Sequence, residues 1–202
     1  MNNLHRVFIA ISLPDKLKKD LFELQYQYPD LPARWTKMEN LHITLAFLGN
    51  TNDQEICDIV KIAQEVCLYH EPFDLTLNRI CYGPIDKLPS AEGEARLWRP
   101  RMVWVVGKKS PELGSLQKDL ESALFEFSGG QFQEKEDYSF APHITLARLE
   151  QAKLRQMEQV ELPMIDKTID RTFLVESIEI MESELRRGGP KYTVLENIKL
   201  GK

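Results

Sequence analysis

Residues 41–47 read LHITLAF, and residues 142–148 read PHITLAR. The tetrad His-Ile-Thr-Leu therefore occurs twice in a chain that has only four histidines. In a β-strand, successive side chains point to opposite faces. Strict alternation puts His42, Thr44 and Ala46 on one face and Ile43, Leu45 and Phe47 on the other. The second copy puts His143 and Thr145 together, opposite Ile144 and Leu146. Each tetrad thus buries two branched aliphatics and presents an imidazole beside a hydroxyl. By the same rule Phe47 belongs to a core. Arg148 reaches the histidine face only if the strand ends or bulges after Leu146.

Working outward, the flanking pattern is that of an α+β protein. His5–Leu13 reads as a strand running into a helix at Pro14-Asp15, with Leu17, Leu21, Leu24 and Tyr28 at helical spacing. The two prolines of residues 29–35 break it. Residues 41–48 form a strand, and 51–69 a helix with Asn52 or Asp53 as N-cap. Strands follow at 72–83 and 101–107, separated by a long loop at 83–100. Residues 110–127 form a helix with Ser110 as N-cap and Pro111 at its first position. After a polar connection at 128–140 come a strand at 143–149, a short helix at 151–159, one strand at 172–183, a turn at 184–190 and a last strand at 191–200. Each half holds a long helix and one HITL strand. The expected architecture is one bilobal unit over 1–202, its two pseudo-symmetric lobes flanking a central cleft.

The composition is 43% hydrophobic and 28% charged, with net charge −5. Those are globular proportions, and the sign excludes bulk electrostatic coating of nucleic acid. Local basic clusters remain at 95–101, 108–109 and 185–191, where Arg96, Arg99 and Arg101 are candidates for phosphate contact. No apolar run approaches the ~20 residues of a membrane span, and the start lacks a signal-peptide pattern. Three cysteines without a C-x-x-C pair indicate neither a disulfide framework nor a zinc ribbon. The expectation is a cytoplasmic monomer with reduced thiols.

Two histidines and two threonines facing one cleft suit displacement at phosphorus. Such a reaction needs a base for the attacking oxygen and an acid for the leaving oxygen, and histidine titrates near neutrality. Hydroxyls can donate to the non-bridging phosphate oxygens. A zinc site would need a third ligand, and neither tetrad supplies a carboxylate or thiolate. No G-x-S-x-G nucleophile elbow occurs. His5 and His70 sit at element ends and read as structural.

RVFIAISLP (6–14), RWTKMENLHITLAFLG (34–49), FAPHITLARL (140–149) and VESIEIMESELRRGGPKYTVL (175–195) resemble the 2H phosphoesterase superfamily. Within it they are most similar to the RNA 2′,3′-cyclic phosphodiesterase branch, also called 2′-5′ RNA ligases. The resemblance implies a bilobal α+β fold whose antiparallel sheets flank the cleft, with no metal or other cofactor. It implies hydrolysis of a terminal RNA 2′,3′-cyclic phosphate to a 2′-phosphate. His42 would be the acid and His143 the base, with Thr44, Thr145 and Arg148 on the phosphate. Phe47 and Trp35 are candidates for stacking on the terminal base, with core packing the favoured reading of Phe47. The substrate would be an RNA 3′ end or a small cyclic nucleotide. The other readings are a phosphodiesterase of small cyclic nucleotides or 2′-5′ oligoadenylate, and a non-catalytic RNA- or nucleotide-binding module.

Overall fold

The computed structural model describes residues 4–84, 100–129, 140–156 and 162–201. Arg96, Arg99, most of the 128–140 connection and the end of the 151–159 helix lie outside the described residues. The strands are β1 (His5–Ser12), β2 (Ala33–Trp35), β3 (His42–Thr51), β4 (Phe73–Gly83), β5 (Met102–Gly107), β6 (His143–Leu149), β7 (Asp166–Val175), β8 (Ser177–Arg186) and β9 (Gly189–Lys199). The helices are α1 (Asp15–Glu23), α2 (Asp53–Cys67), α3 (Pro111–Phe127) and α4 (Gln151–Leu154). Asn52 caps α2 in a reciprocal capping box with Glu55, and Ser110 caps α3 ahead of Pro111.

Among the described residues the strands form one sheet in the order β7-β4-β5-β6-β3-β1-β8-β9, and β2 also pairs with β6. The two HITL strands meet at its centre. Among the described residues their one ladder pair is Ile43 and Ile144, beyond which β3 and β6 diverge. On one side of that divergence β2 takes the place beside β6, matching Ala33–Trp35 to Leu149–Ala147. Four strands lie on each side of the junction, and all pairings are antiparallel. One face of the sheet carries the main core, where Leu17 and Leu21 of α1, Ile59 and Ala63 of α2, and Leu113, Leu116, Leu120 and Leu124 of α3 pack on strand residues such as Ile9, Ile43 and Ile144. The other face is lined by the histidines.

Two features depart from the sequence reading. The short strand β2 falls within the proline-broken stretch. Residues 172–183 are not one strand: β7 ends at Val175 and β8 begins at Ser177. The two belong to opposite lobes, β7 paired with β4 and β8 with β1 and β9. The apolar phase slips there, because Phe173 and Val175 are buried in one phase and Ile178 and Ile180 in the other. A period-2 pattern that loses its phase marks a break in the strand.

Candidate active site

The two HITL strands share one burial pattern, residue for residue, from His42 to Leu48 and from His143 to Leu149. Histidine and threonine are half-buried, and the residues between them are buried. Then two consecutive residues are buried, Leu45-Ala46 and Leu146-Ala147. The next residue, Phe47 or Arg148, is exposed. The cause is a β-bulge at the same place in each ladder. In the first, Ile9 faces Ala46 and Ala10 faces Thr44, which skips Leu45. In the second, Val103 faces Ala147 and Trp104 faces Thr145, which skips Leu146. A bulge shifts all later side chains to the other face. Arg148 is thereby brought to the histidine face. Phe47 is brought there too, which corrects its assignment to the core: it is 76% exposed.

Each imidazole is fixed the same way. His42 Nδ1 donates to the Asn40 carbonyl at 2.7 Å, and His143 Nδ1 donates to the Ala141 carbonyl at 3.2 Å. In the neutral ring this leaves the lone pair on Nε2. At His42 the Thr44 hydroxyl donates to that nitrogen at 2.9 Å. Asn40 is itself buried, and its amide donates to the Pro190 carbonyl at 2.8 Å, which ties the His42 anchor to β9. The Ile43–Ile144 pair brings the two tetrads side by side, with His42 and Thr44 flanking Ile43 and His143 and Thr145 flanking Ile144.

The rings around the two histidines differ. Phe8 lies 5.0 Å from His42 between centroids, and Tyr192 meets it edge-on at 5.3 Å. Phe8, Ala10 and Met181 form a small buried cluster of their own on this face, with Tyr192 against it. Trp104 instead stacks on His143 at 4.2 Å. Gly83 makes that stack possible, since a Cβ there would overlap the indole ring. Burial of the imidazole lowers the His42 pKa, opposed by the Asn40 carbonyl and reinforced by the charges of Lys18 and His143.

Of the other predicted site residues, Thr44, Thr145 and Arg148 share the histidine face. Trp35 does not: it pairs with the buried Ala147 and packs against the main core. Its neighbour Arg34, opposite Arg148 in the ladder and well exposed, faces that side instead. Phe8, Tyr192 and Trp104 escaped the sequence reading. Alternation in RVFIAIS would have found the first, since Arg6, Phe8, Ala10 and Ser12 share one face. His5 bridges Glu182 and Asp53, and His70 pairs with Asp119, so both have structural partners. Cys67 and Cys81 are buried, and burial pushes the Cys67 thiol up to about 11. A concavity of about 400 Å³ between α1 and β7 has mixed charge and is lined by neither His42 nor His143. Among the described residues no cluster of three His, Cys, Asp or Glu could hold a metal ion, and no helix is long and apolar enough to cross a membrane.

A model of LigT-like phosphoesterases matches residues 11–89. An RNA 2′,3′-cyclic phosphodiesterase of Aeropyrum pernix is 31% identical over 178 residues, covering 84% of this chain and 87% of the relative. One of Thermotoga maritima is 28% identical over 195 residues, covering 94% and 92%. Among solved structures, a protein of Thermus thermophilus superposes with a TM-score of 0.77 at 25% identity, covering 98% of this chain and 99% of the other. Escherichia coli LigT complexed with phosphate superposes with a TM-score of 0.68 at 26% identity, covering 98% and 99%.

Proposed function

The chain belongs to the LigT-like phosphoesterase family, and we propose that it hydrolyses RNA 2′,3′-cyclic phosphate ends to 2′-phosphates with His42 and His143 as the acid–base pair. The observation that carries this reading is the doubled constellation: two imidazoles fixed through Nδ1, each beside a threonine, on one face at the junction of the two lobes.

The chemistry follows from the protonation states. Water attacks phosphorus, its proton passes to a neutral imidazole, and the P–O3′ bond breaks as the other imidazole protonates O3′. The product has a 2′-phosphomonoester and a free 3′-hydroxyl. The resemblance assigns the acid to His42. Burial lowers the pKa of His42 in the free protein, and the anionic substrate opposes that shift when it binds between the histidines. With His42 as the acid, His143 is the base that takes the proton of the attacking water. The leaving oxygen at His42 Nε2 takes the place of the Thr44 hydroxyl, which is then available to a non-bridging oxygen alongside Thr145. Arg148 supplies the fixed positive charge. Phe47, rather than Trp35, is the exposed ring on this face for stacking on the terminal base.

The test is turnover of a short RNA ending in a 2′,3′-cyclic phosphate, in the presence of chelator, with the product phosphate located by NMR. A 2′-phosphate is expected. A 3′-phosphate, dependence on added metal, or turnover of 2′-5′ oligoadenylate alone would overturn the reading. Binding without turnover would leave a nucleotide-binding module.

A further inference from the structure

The two halves of the cleft match closely enough that a mismatch between them is informative. In the β1–β3 ladder Ser12 stands directly across from His42, and in the β5–β6 ladder Val106 stands across from His143. Ladder partners of this kind lie about 4.5–5.5 Å apart at Cα. The fourth residue of α1 is Lys18, whose ammonium donates to the Ser12 hydroxyl at 3.0 Å. The fourth residue of α3 is Gly114, with no side chain at all. In the corresponding places, one histidine therefore has a hydroxyl and a cation, and the other has a valine and a glycine.

Lys18 is half-buried, and among the described residues no carboxylate lies within 4 Å of its ammonium. A lysine with one neutral partner has unused donors and an uncompensated charge. Its charge is felt at His42. Held there without an anion, it makes a poor structural element, because it gains only one hydrogen bond for the water it gives up. It suits an anion that arrives with the substrate.

The cyclic phosphate itself belongs between the two histidines, so a second anion is required. A nucleotide carries one on the other side of the same ribose, at the 5′ position. Resting on the reading of the cleft given above, we infer that Lys18 and Ser12 form a subsite for the phosphate attached at the 5′ oxygen of the terminal nucleotide. That phosphate is a diester in an RNA chain and a monoester in a free nucleotide. Both offer the same oxygens to an ammonium. A subsite on one lobe only also sets the direction in which the substrate lies across an otherwise two-fold site, with its 5′ side toward β1 and α1.

The experiment compares three substrates on the parent protein, Lys18→Met and Lys18→Arg. They are adenosine 2′,3′-cyclic phosphate, the same compound with a 5′-phosphate, and a dinucleotide ending in the cyclic phosphate. The readout is the ratio of kcat/KM with and without the 5′ phosphate group, which a general structural defect would not change. The ratio is expected to fall about tenfold in Lys18→Met, as for loss of one charge-assisted hydrogen bond, and to recover in Lys18→Arg. A fall with both 5′-bearing substrates assigns the site to the phosphate as such, and a fall with the dinucleotide alone assigns it to the diester. Equal losses on all three substrates, or no change in the ratio, would overturn the inference. Binding of adenosine 2′,5′-bisphosphate against adenosine 2′-phosphate reads the subsite without turnover. If the parent turns over none of the three yet prefers the bisphosphate through Lys18, the phosphodiesterase reading fails and the subsite stands. No preference in the parent removes the subsite.

Discussion

Residues 42–48 and 143–149 are the same strand made twice, and they differ where a substrate would need them to differ. Both hold histidine through a carbonyl two residues back, both place threonine next along the face, and both bulge at the same leucine. After the bulge one presents Phe47 and the other Arg148. The ring of His42 is met edge-on by Tyr192, while the ring of His143 lies flat on Trp104. A near-symmetric scaffold thus holds an asymmetric reaction. One side sets Phe8 and Tyr192 about His42, with Ser12 and Lys18 on its flank, and the other carries a stacked imidazole and a guanidinium.

The acid and base assignment is the largest part of that difference. A cyclic phosphate with sulfur in place of the 3′ oxygen has a leaving group that needs no proton. It is expected to restore turnover to His42→Ala by about a hundredfold or more and to leave His143→Ala inactive. Rescue of His143→Ala instead would exchange the two roles.

Phe47 and Arg148 give the next effect in size. Arg148→Ala is expected to lower kcat about a hundredfold, the loss of one charged donor to phosphate in a desolvated site, whereas Phe47→Ala raises KM by up to about tenfold with kcat little changed. Steady-state kinetics on the same RNA end separates the two. If both act on kcat alike, the strands are not differentiated in the way described.

Gly83→Ala tests the stacked side alone. The added methyl overlaps the Trp104 indole, so the ring must leave His143. The change is expected to cost about 1–3 kcal/mol of stability, read by urea denaturation, and to reduce turnover several-fold. Unchanged stability and activity would mean that the stack holds nothing in place.

The smallest effect concerns His42 in the free protein. Its imidazole resonances are expected to titrate below the ordinary value of about 6.5. The sign for stability follows. Because the folded value lies below the unfolded one, the contribution is present above about pH 6.5 and is lost as pH falls through the folded value. A titration above that value in the free protein would mean that burial does not desolvate the imidazole there.

The sequence showed the histidines, the threonines and both lobes plainly, because a strand repeated with its aliphatic partners can be read from alternation alone. Arg148 and Phe47 were not legible in that way. Their side depends on a bulge, and a bulge is a property of two paired strands rather than of one. The paired buried residues Leu45-Ala46 and Leu146-Ala147 are its trace in a single sequence. Trp35 failed as a cleft residue because β2 pairs with β6 and turns the indole to the core. Lys18 was hidden in an amphipathic helix, where nothing distinguishes one lysine from its neighbours until Ser12 is seen beside His42.

The central claim is that two equivalent histidines act as one pair on phosphorus. Single-turnover hydrolysis of an RNA 2′,3′-cyclic phosphate by the parent, His42→Ala, His143→Ala and the double variant tests it most directly, with circular dichroism confirming that each is folded. Each single variant is expected to lose about a hundred- to ten-thousandfold, and the double variant far less than the product of the two losses. A single variant that keeps near-parent turnover, or losses that simply multiply, would contradict a shared site.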